Sequence, residues 1–308
     1  MAVTIIPWGD GSGDNIYLTY PSASGDQTIE VSSDANAGST DRTKTITFTA
    51  SHHGTSDTKT LTVVQEGVPE QYIVFADPTV EAICAANWGD GIGITPSQAA
   101  AVSYNQAQTA SVNNFWNKFT NAGTMTSFDE LDYFTQVTSI PASKFKNNTS
   151  LTSIGLSNIK RLLSSCFENC SSLSIEVDMP NAELHNSYYA QFKASGITKI
   201  KNLGNTTNLA SYDFARNCPN LTEVHLPSSL TTINRIQFLG CSNLTTAVCL
   251  ATAPPTSNGR IFDTSESLKI YVPYSADHSI LDAYKAATGW SQNAGQIYEL
   301  NPDGTIPT

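Results

Sequence analysis

A chain of 308 residues with 14% charged side chains and a formal net charge of -11 is long enough for two or three packed units, and its field repels nucleic acid. No Lys/Arg cluster interrupts that field, no run approaches the ~20 apolar residues of a membrane span, and residues 1–20 lack the basic and apolar regions of a secretion signal. These features speak against DNA, RNA and membrane insertion, and the abundance of Ser, Thr and Asn favours a mainly β fold.

Residues 15–20, 27–33, 44–51 and 59–65 are short runs rich in Ile, Val, Tyr, Phe and Thr, separated by Gly, Ser, Asp and Asn, and are predicted strands joined by turns. Thr45, Thr47 and Thr49 alternate with Ile46 and Phe48, the period of a strand with one face packed and one in water. These runs predict a small Ig-like β-sandwich over residues 1–68. His52 and His53 are adjacent, point in different directions and have no third ligand nearby in sequence, so they are placed at a solvent-exposed hairpin tip. The run from Asp10 to Asp14 has two open readings, a cation-holding loop and a flexible one.

The segment TKTITFTASHHGTSDTKTLTVVQEG, residues 43–67, resembles the Ig-like BACON modules of Bacteroidota and their phages. That resemblance implies a spacer or carbohydrate-associated role. The opening PWGDGSGDNIYLTY, residues 7–20, is similar to the start of structural proteins in Bacteroides phages and prophages.

Residues 69–125 are expected to be a helical linker and N-terminal cap. Asp77 and Pro78 supply an N-cap and a first-turn proline, and Val80, Ile83 and Cys84 fall on one helical face. The stretch FADPTVEAICAANWGDGIGITPSQAAAV resembles a segment that precedes repeats in Bacteroides surface proteins, where the loop after Asn-Trp is EF-hand-like. Here Asn87 and Trp88 lead into Gly89, Asp90, Gly91, Ile92 and Gly93, and the closing position is Gln98. Calcium prefers six to eight oxygens, and this shortened loop has lost nearly all its carboxylates; a helix-loop-helix cap is expected, without metal.

From Phe128 onward a repeat takes over. Phe145, Phe167, Phe192, Phe214, Phe238 and Phe262 are separated by 22, 25, 22, 24 and 24 residues. Periods of about 20 to 29 residues are those of leucine-rich repeats, whose units cannot bury an apolar face alone and must stack. Each anchor precedes a small, amide or thiol residue (Asn148, Cys170, Ser195, Cys218, Cys241, Ser265) and then an aliphatic one, with the spacing slipping in the third and fourth copies. Pro180, Pro227 and Pro273 close strands. Stacking makes each position a column, so Cys170, Cys218 and Cys241 are expected as reduced, buried thiols.

Segments such as CSSL, CPNLTEVHLPSSLTTI and CSNL resemble the BspA-type leucine-rich repeats of bacterial surface and phage proteins, over residues 126–300. The ending LKIYVPYSADHSILDAYKAATGW looks like that family's terminal strand and capping helix, with Ile280, Leu281, Tyr284 and Trp290 closing the stack. Residues 301–308 are expected to be a disordered or docking tail.

The sequence holds no Walker motif, nucleophile elbow, His-x-x-x-His or CxxC pair, and His185, His225 and His278 lack neighbouring acid and thiol partners. No enzyme, metal site or cofactor is expected; a glycosidase with carboxylates assembled by the fold is the one catalytic reading left. Polar residues alternating with buried aliphatics must face solvent, which makes Glu176, Asp178, Lys199, Lys201, Glu223 and His225 candidate ligand-binding residues on an outer strand face. Tyr188 and Tyr189 are added as aromatics able to stack on a sugar ring or to pack.

The resulting expectation is a non-enzymatic structural or adhesive protein. Its first form is a Bacteroides-phage virion component, a head decoration or tail fibre, made without a signal peptide and binding host or mucosal glycans or proteins, with other virion proteins or further copies as partners. The alternatives are a bacterial outer-surface adhesin and a decoration protein with no ligand.

Overall fold

The computed structural model describes residues 2–20, 29–36, 40–52, 55–102, 115–120, 122–184, 188–209, 212–263 and 266–307. His53, His185, Ser265, the side chain of His52 and residues 103–114 of the expected cap lie outside what is described. The chain divides into two compact units, Met1–Gln71 and Tyr72–Thr308.

In the first unit β1 (Ala2–Pro7), β2 (Asn15–Tyr20) and β3 (Glu30–Ser33) form an antiparallel sheet, and β4 (Arg42–His52) pairs with β5 (Thr55–Gln65) as a long hairpin. The first strand was not foreseen from the sequence, because Ala2–Pro7 contains no polar alternation to mark it. The alternation in β4 is realised: Ile46 is buried while Thr45, Thr47 and Thr49 are exposed. The buried core is small, comprising Trp8, Ile16, Leu18 and Ile46 with Ile6, Ile29, Phe48 and Val63 packed around them.

A polar clasp supplements it. The guanidinium of Arg42 lies 4.5 Å from the Trp8 ring centroid, donates to Asp14 at 2.8 Å and to the Asp34 carbonyl at 2.9 Å, and pairs with Asp10 at 3.4 Å. Its Nε donates to Gln65 Oε1 at 3.0 Å. The acidic run from Asp10 to Asp14 grips the guanidinium of Arg42, about 30 residues away, and its own turns are closed by Ser12 N–H and Oγ–H donating to Asp10.

The second unit opens with α1 (Pro78–Trp88) and α2 (Pro96–Ala101). Asp77 caps α1 by accepting from the N–H groups of Thr79 and Val80, and its second oxygen accepts from Thr126 N–H at 2.7 Å and Thr126 Oγ1–H at 3.0 Å. One carboxylate therefore joins the cap to the start of the repeats. Asp90 spends its oxygens on Tyr72 O–H and on the N–H groups of Ile92 and Gly93, and Gln98 forms a capping box with Thr95. The residues that the EF-hand likeness aligned with ligand positions here hold the loop and start a helix.

The described part of the remainder is a β-rich repeat. Its short strands are β6 (Ser127–Phe128), β7 (Ser139–Ile140), β8 (Ser153–Ile154), β9 (Arg161–Leu162), β10 (Glu176–Asp178), β11 (Lys199–Asn202), β12 (Asn208–Leu209), β13 (Glu223–Leu226), β14 (Thr232–Ile233), β15 (Thr246–Cys249) and β16 (Lys269–Val272). After α3 (Ser279–Ala286) comes β17 (Ile297–Glu299). One parallel sheet runs β10-β11-β13-β15-β16-β17, and the pairs β6-β8, β7-β9 and β12-β14 are also parallel. Partners lie about one repeat apart in sequence, so each coil hydrogen-bonds to the next, as a unit too small to bury its own face requires.

Inward, Val177, Ile200, Val224, Ala247, Ile270 and Ile297 occupy one continuous register across six strands. The anchor phenylalanines stack behind them: centroids are 5.4 Å apart for Phe145–Phe167, 5.3 Å for Phe167–Phe192 and 5.3 Å for Phe238–Phe262, with nearly parallel rings. Phe214 meets both neighbours edge-on, at the copy where the spacing slips. Trp116 closes the column at one end, 5.7 Å from Phe145, and Trp290 at the other, 6.0 Å from Phe262.

The polar column beside the phenylalanines is a hydrogen-bond ladder. Cys170 Sγ–H donates to the Phe145 carbonyl at 2.9 Å, Cys218 to Phe192 at 3.0 Å and Cys241 to Ala215 at 3.1 Å. Asn148 begins the ladder, donating to the Ala122 and Met125 carbonyls and accepting from the N–H groups of Ser150 and Leu151. All six cysteines are free and buried. Burial pushes the Cys170 thiol up to about 12 and Cys249 up to about 11, so both are thiols at neutral pH and poor nucleophiles.

Two expectations for the C-terminus are corrected. Pro273 ends β16 but β16 is not the last strand, because after α3 the chain returns and adds β17 in parallel. Residues 301–305 are not structureless: Asn301 N–H donates to Thr305 O, Gly304 N–H to Asn301 O and Thr305 N–H to Asp303, closing a compact turn.

Candidate functional site

A parallel sheet with one face in the core leaves alternate side chains pointing outward, and neighbouring strands bring them into rows. Lys199, Glu223, Thr246 and Lys269 share one row, with Glu176 opposite Lys199. His225, Val248, Tyr271 and Tyr298 share the next. Six of the eight residues singled out from the sequence are therefore neighbours.

Lys199 Nζ lies 3.5 Å from Glu176 and 3.4 Å from Glu223, Lys201 pairs with Glu176, and His225 Nε2 is 2.6 Å from Glu223 Oε1. Asp178 is exposed beside them. The hydrogen bond from Lys201 holds the Glu176 carboxyl below its ordinary range and raises Lys201 in return. Partial burial pushes Glu223 up, but its hydrogen bond with His225 and the charges of His225 and Lys199 outweigh this and leave it lowered. Opposite charges compensated along a row in water are worth little in stability.

At the other end of the row Val248, Tyr271 and Leu300 pack into a cluster separate from the main core. Tyr298 lies 6.1 Å from Tyr271, centroid to centroid, and stays 45% exposed. Alternation within Lys269–Val272 carries the signal that would have placed Tyr271 outward. Nothing local points to Tyr298, because its strand was unforeseen.

Tyr188 and Tyr189 are not on this face. Tyr188 is half-buried, while Tyr189 is 57% exposed and lines a groove at the phenylalanine turns with Lys146, Glu168, Lys193, Tyr212 and Asp213.

Asp129, Asp132, Glu176 and Asp178 line a shallow groove of about 310 Å³, but a glycosidase acid needs a raised pKa and Glu176 is lowered. Ser275, His278 and Glu299 come together with the carboxylate in the middle, accepting from Ser275 Oγ–H and paired with His278 Nδ1 at 2.6 Å, so the hydroxyl has no imidazole base. Among the described residues no group of three or more His, Cys, Asp or Glu is arranged to hold a metal, and no helix is long and apolar enough to cross a membrane.

Residues 117–248 match the BspA type leucine rich repeat region, in six copies. The parallel rows of the structure continue past that stretch through β16 and β17. Regions of this type are generally protein–protein or adhesion modules at cell surfaces, and the leucine-rich-repeat family is generally non-enzymatic. No curated protein matches the chain.

Proposed function

We propose that this is a non-enzymatic adhesive protein whose repeats form a solenoid and whose outward strand face docks a protein partner. The observation that carries the reading is a pair of adjacent outward rows, one running from Glu176 and Lys199 through Glu223 to Lys269 and the other from His225 to Tyr298, a fixed charge pattern beside a row that ends in an exposed aromatic. Patterned charge sets orientation and on-rate, and an exposed tyrosine supplies the contact area typical of interface anchors.

Beads coated with the full chain and applied to Bacteroides cells or mucosal epithelium test it. Adhesion is expected to be lost after the cells are trypsinised and to fall with Glu176→Lys or Tyr298→Ala. Adhesion that survives both would sink the reading.

Within it we place the chain first as a Bacteroides-phage virion component, a head decoration or tail fibre. The likeness of residues 7–20 to phage structural proteins and of residues 43–67 to BACON modules supports that placement. Mass spectrometry of purified particles should find it as a stoichiometric component; recovery in the outer-membrane fraction instead would favour a bacterial surface adhesin.

A further inference from the structure

The phenylalanine turns carry a groove of their own, of about 590 Å³. Three residues before the anchor stand Ala142, Ser164 and Tyr189 in the first three copies, and in the slipped fourth copy Tyr212 stands two before Phe214. Small side chains followed by large ones make a step. Ala142, Ser143, Ser164 and Ser165 form a floor, and Tyr189 and Tyr212 form a wall that remains 57% and 49% exposed.

The wall is held by the backbone of adjacent turns. Ser165 N–H donates to the Tyr189 carbonyl at 2.8 Å, Tyr189 N–H to Ser164 Oγ at 3.3 Å and Ala190 N–H to the Tyr212 carbonyl at 3.0 Å. The backbone at both tyrosines is therefore fixed before any ligand arrives, which limits the ordering cost of binding to the two ring rotamers.

Along the groove the charges alternate. Lys146 pairs with Glu168 at 2.8 Å, and Lys193 lies 3.9 Å from Glu168 and 3.1 Å from Asp213. Among the lining residues two ammonium groups balance two carboxylates, and Arg216, which pairs with Asp213 at 3.4 Å, is not part of the lining. An anion meets Glu168 and Asp213, a cation meets Lys146 and Lys193, and a wholly apolar ligand strips water from all four. A neutral polyol fits: its hydroxyls donate to carboxylates and accept from ammonium groups, and its apolar ring face covers a tyrosine.

We propose that this groove is a binding site for a neutral saccharide, stacked on Tyr189 and Tyr212 and hydrogen-bonded by Lys146, Glu168 and Lys193. The site goes beyond the protein-docking face and shares no residue with it.

The test is an array of immobilised neutral hexose and N-acetylhexosamine oligosaccharides beside sialylated and sulfated counterparts, probed with the full chain. At least one neutral glycan should bind, with affinity insensitive to salt between about 0.05 and 0.3 M. Tyr189→Ala and Tyr212→Ala should each weaken binding about tenfold. Ala142→Trp, an exposed change that fills the floor, should abolish it without touching the wall, and Glu176→Gln on the sheet face should leave it unchanged. No neutral glycan bound, binding confined to the anionic glycans, or full binding by the Tyr and Ala142 variants overturns the proposal. Each of those results leaves the trypsin-sensitive adhesion test standing, so the two readings fail separately.

Discussion

The two units of this chain solve the same problem, burying too little apolar surface per segment, in opposite ways. In the Met1–Gln71 unit four buried side chains form the core, and a guanidinium stacked on Trp8 and bonded to Asp14, Asp34 and Gln65 ties the strands and the Asp10–Asp14 loop together. In the Tyr72–Thr308 unit a cation of this kind stands only at the start of the described column, where Lys144 donates to the Trp116 and Phe119 carbonyls with its ammonium 5.9 Å from the Trp116 ring centroid; beyond it each coil contributes one phenylalanine, one or two aliphatics and one polar ladder residue to a column shared with its neighbours. A small unit with few apolar residues depends on a few long-range polar contacts, whereas a repeat spreads its stability over many equivalent ones.

That contrast breaks most sharply at the column. Phe167→Ala removes a fully buried ring stacked on both sides, with an expected cost of about 3–5 kcal/mol in denaturant unfolding. Hydrogen exchange should rise in the coils on either side while the strands of the first unit keep their protection. A cost under about 1 kcal/mol would mean that the stack is not a cooperative core.

Asp77→Ala comes next, at about 2–4 kcal/mol, because it removes a helix cap and strands the Thr126 N–H together. Burial pushes the Asp77 carboxyl up, but hydrogen bonds from Thr126, Thr79 and Val80 outweigh it and leave the group below 3.8. A depressed carboxyl stabilises above its unfolded pKa and loses that contribution as pH falls through the lower folded value. The parent should therefore lose stability relative to Asp77→Ala only as pH drops below about 4.

Arg42→Met tests the other strategy. It removes the clasp but leaves Asp10 and Asp14 free to hydrate, so about 1–3 kcal/mol is expected, confined to the first unit and read from Trp8 fluorescence. Smallest is Glu176→Gln, which should leave the denaturant midpoint essentially where it is in the parent, since the pairs it breaks are in water. Its effect belongs to adhesion instead, which makes it the variant that separates binding from folding.

The repeat was legible because its information is local and periodic. One phenylalanine every 22 to 25 residues, followed by a thiol, amide or hydroxyl and an aliphatic, states which side chains face inward whatever the neighbouring coil contains. The same alternation placed Glu176, Asp178, Lys199, Lys201, Glu223 and His225 outward, and they do form one face. Tyr188 and Tyr189 were read together because they are adjacent, yet only Tyr189 reaches the groove, since its position relative to Phe192 repeats that of Ser164 relative to Phe167.

What the sequence alone determined is the period, the inward face and the outward candidates, all consequences of side-chain spacing within one coil. The tertiary structure decided the rest: that the cation gripped by Asp10 and Asp14 is Arg42, that Gln98 caps a helix, that β17 joins the sheet after α3, and that Tyr212 stands beside Tyr189. Each of these joins residues separated by a turn, a cap or a whole coil. Their pairing is set by how the backbones stack, and local propensity carries no record of it.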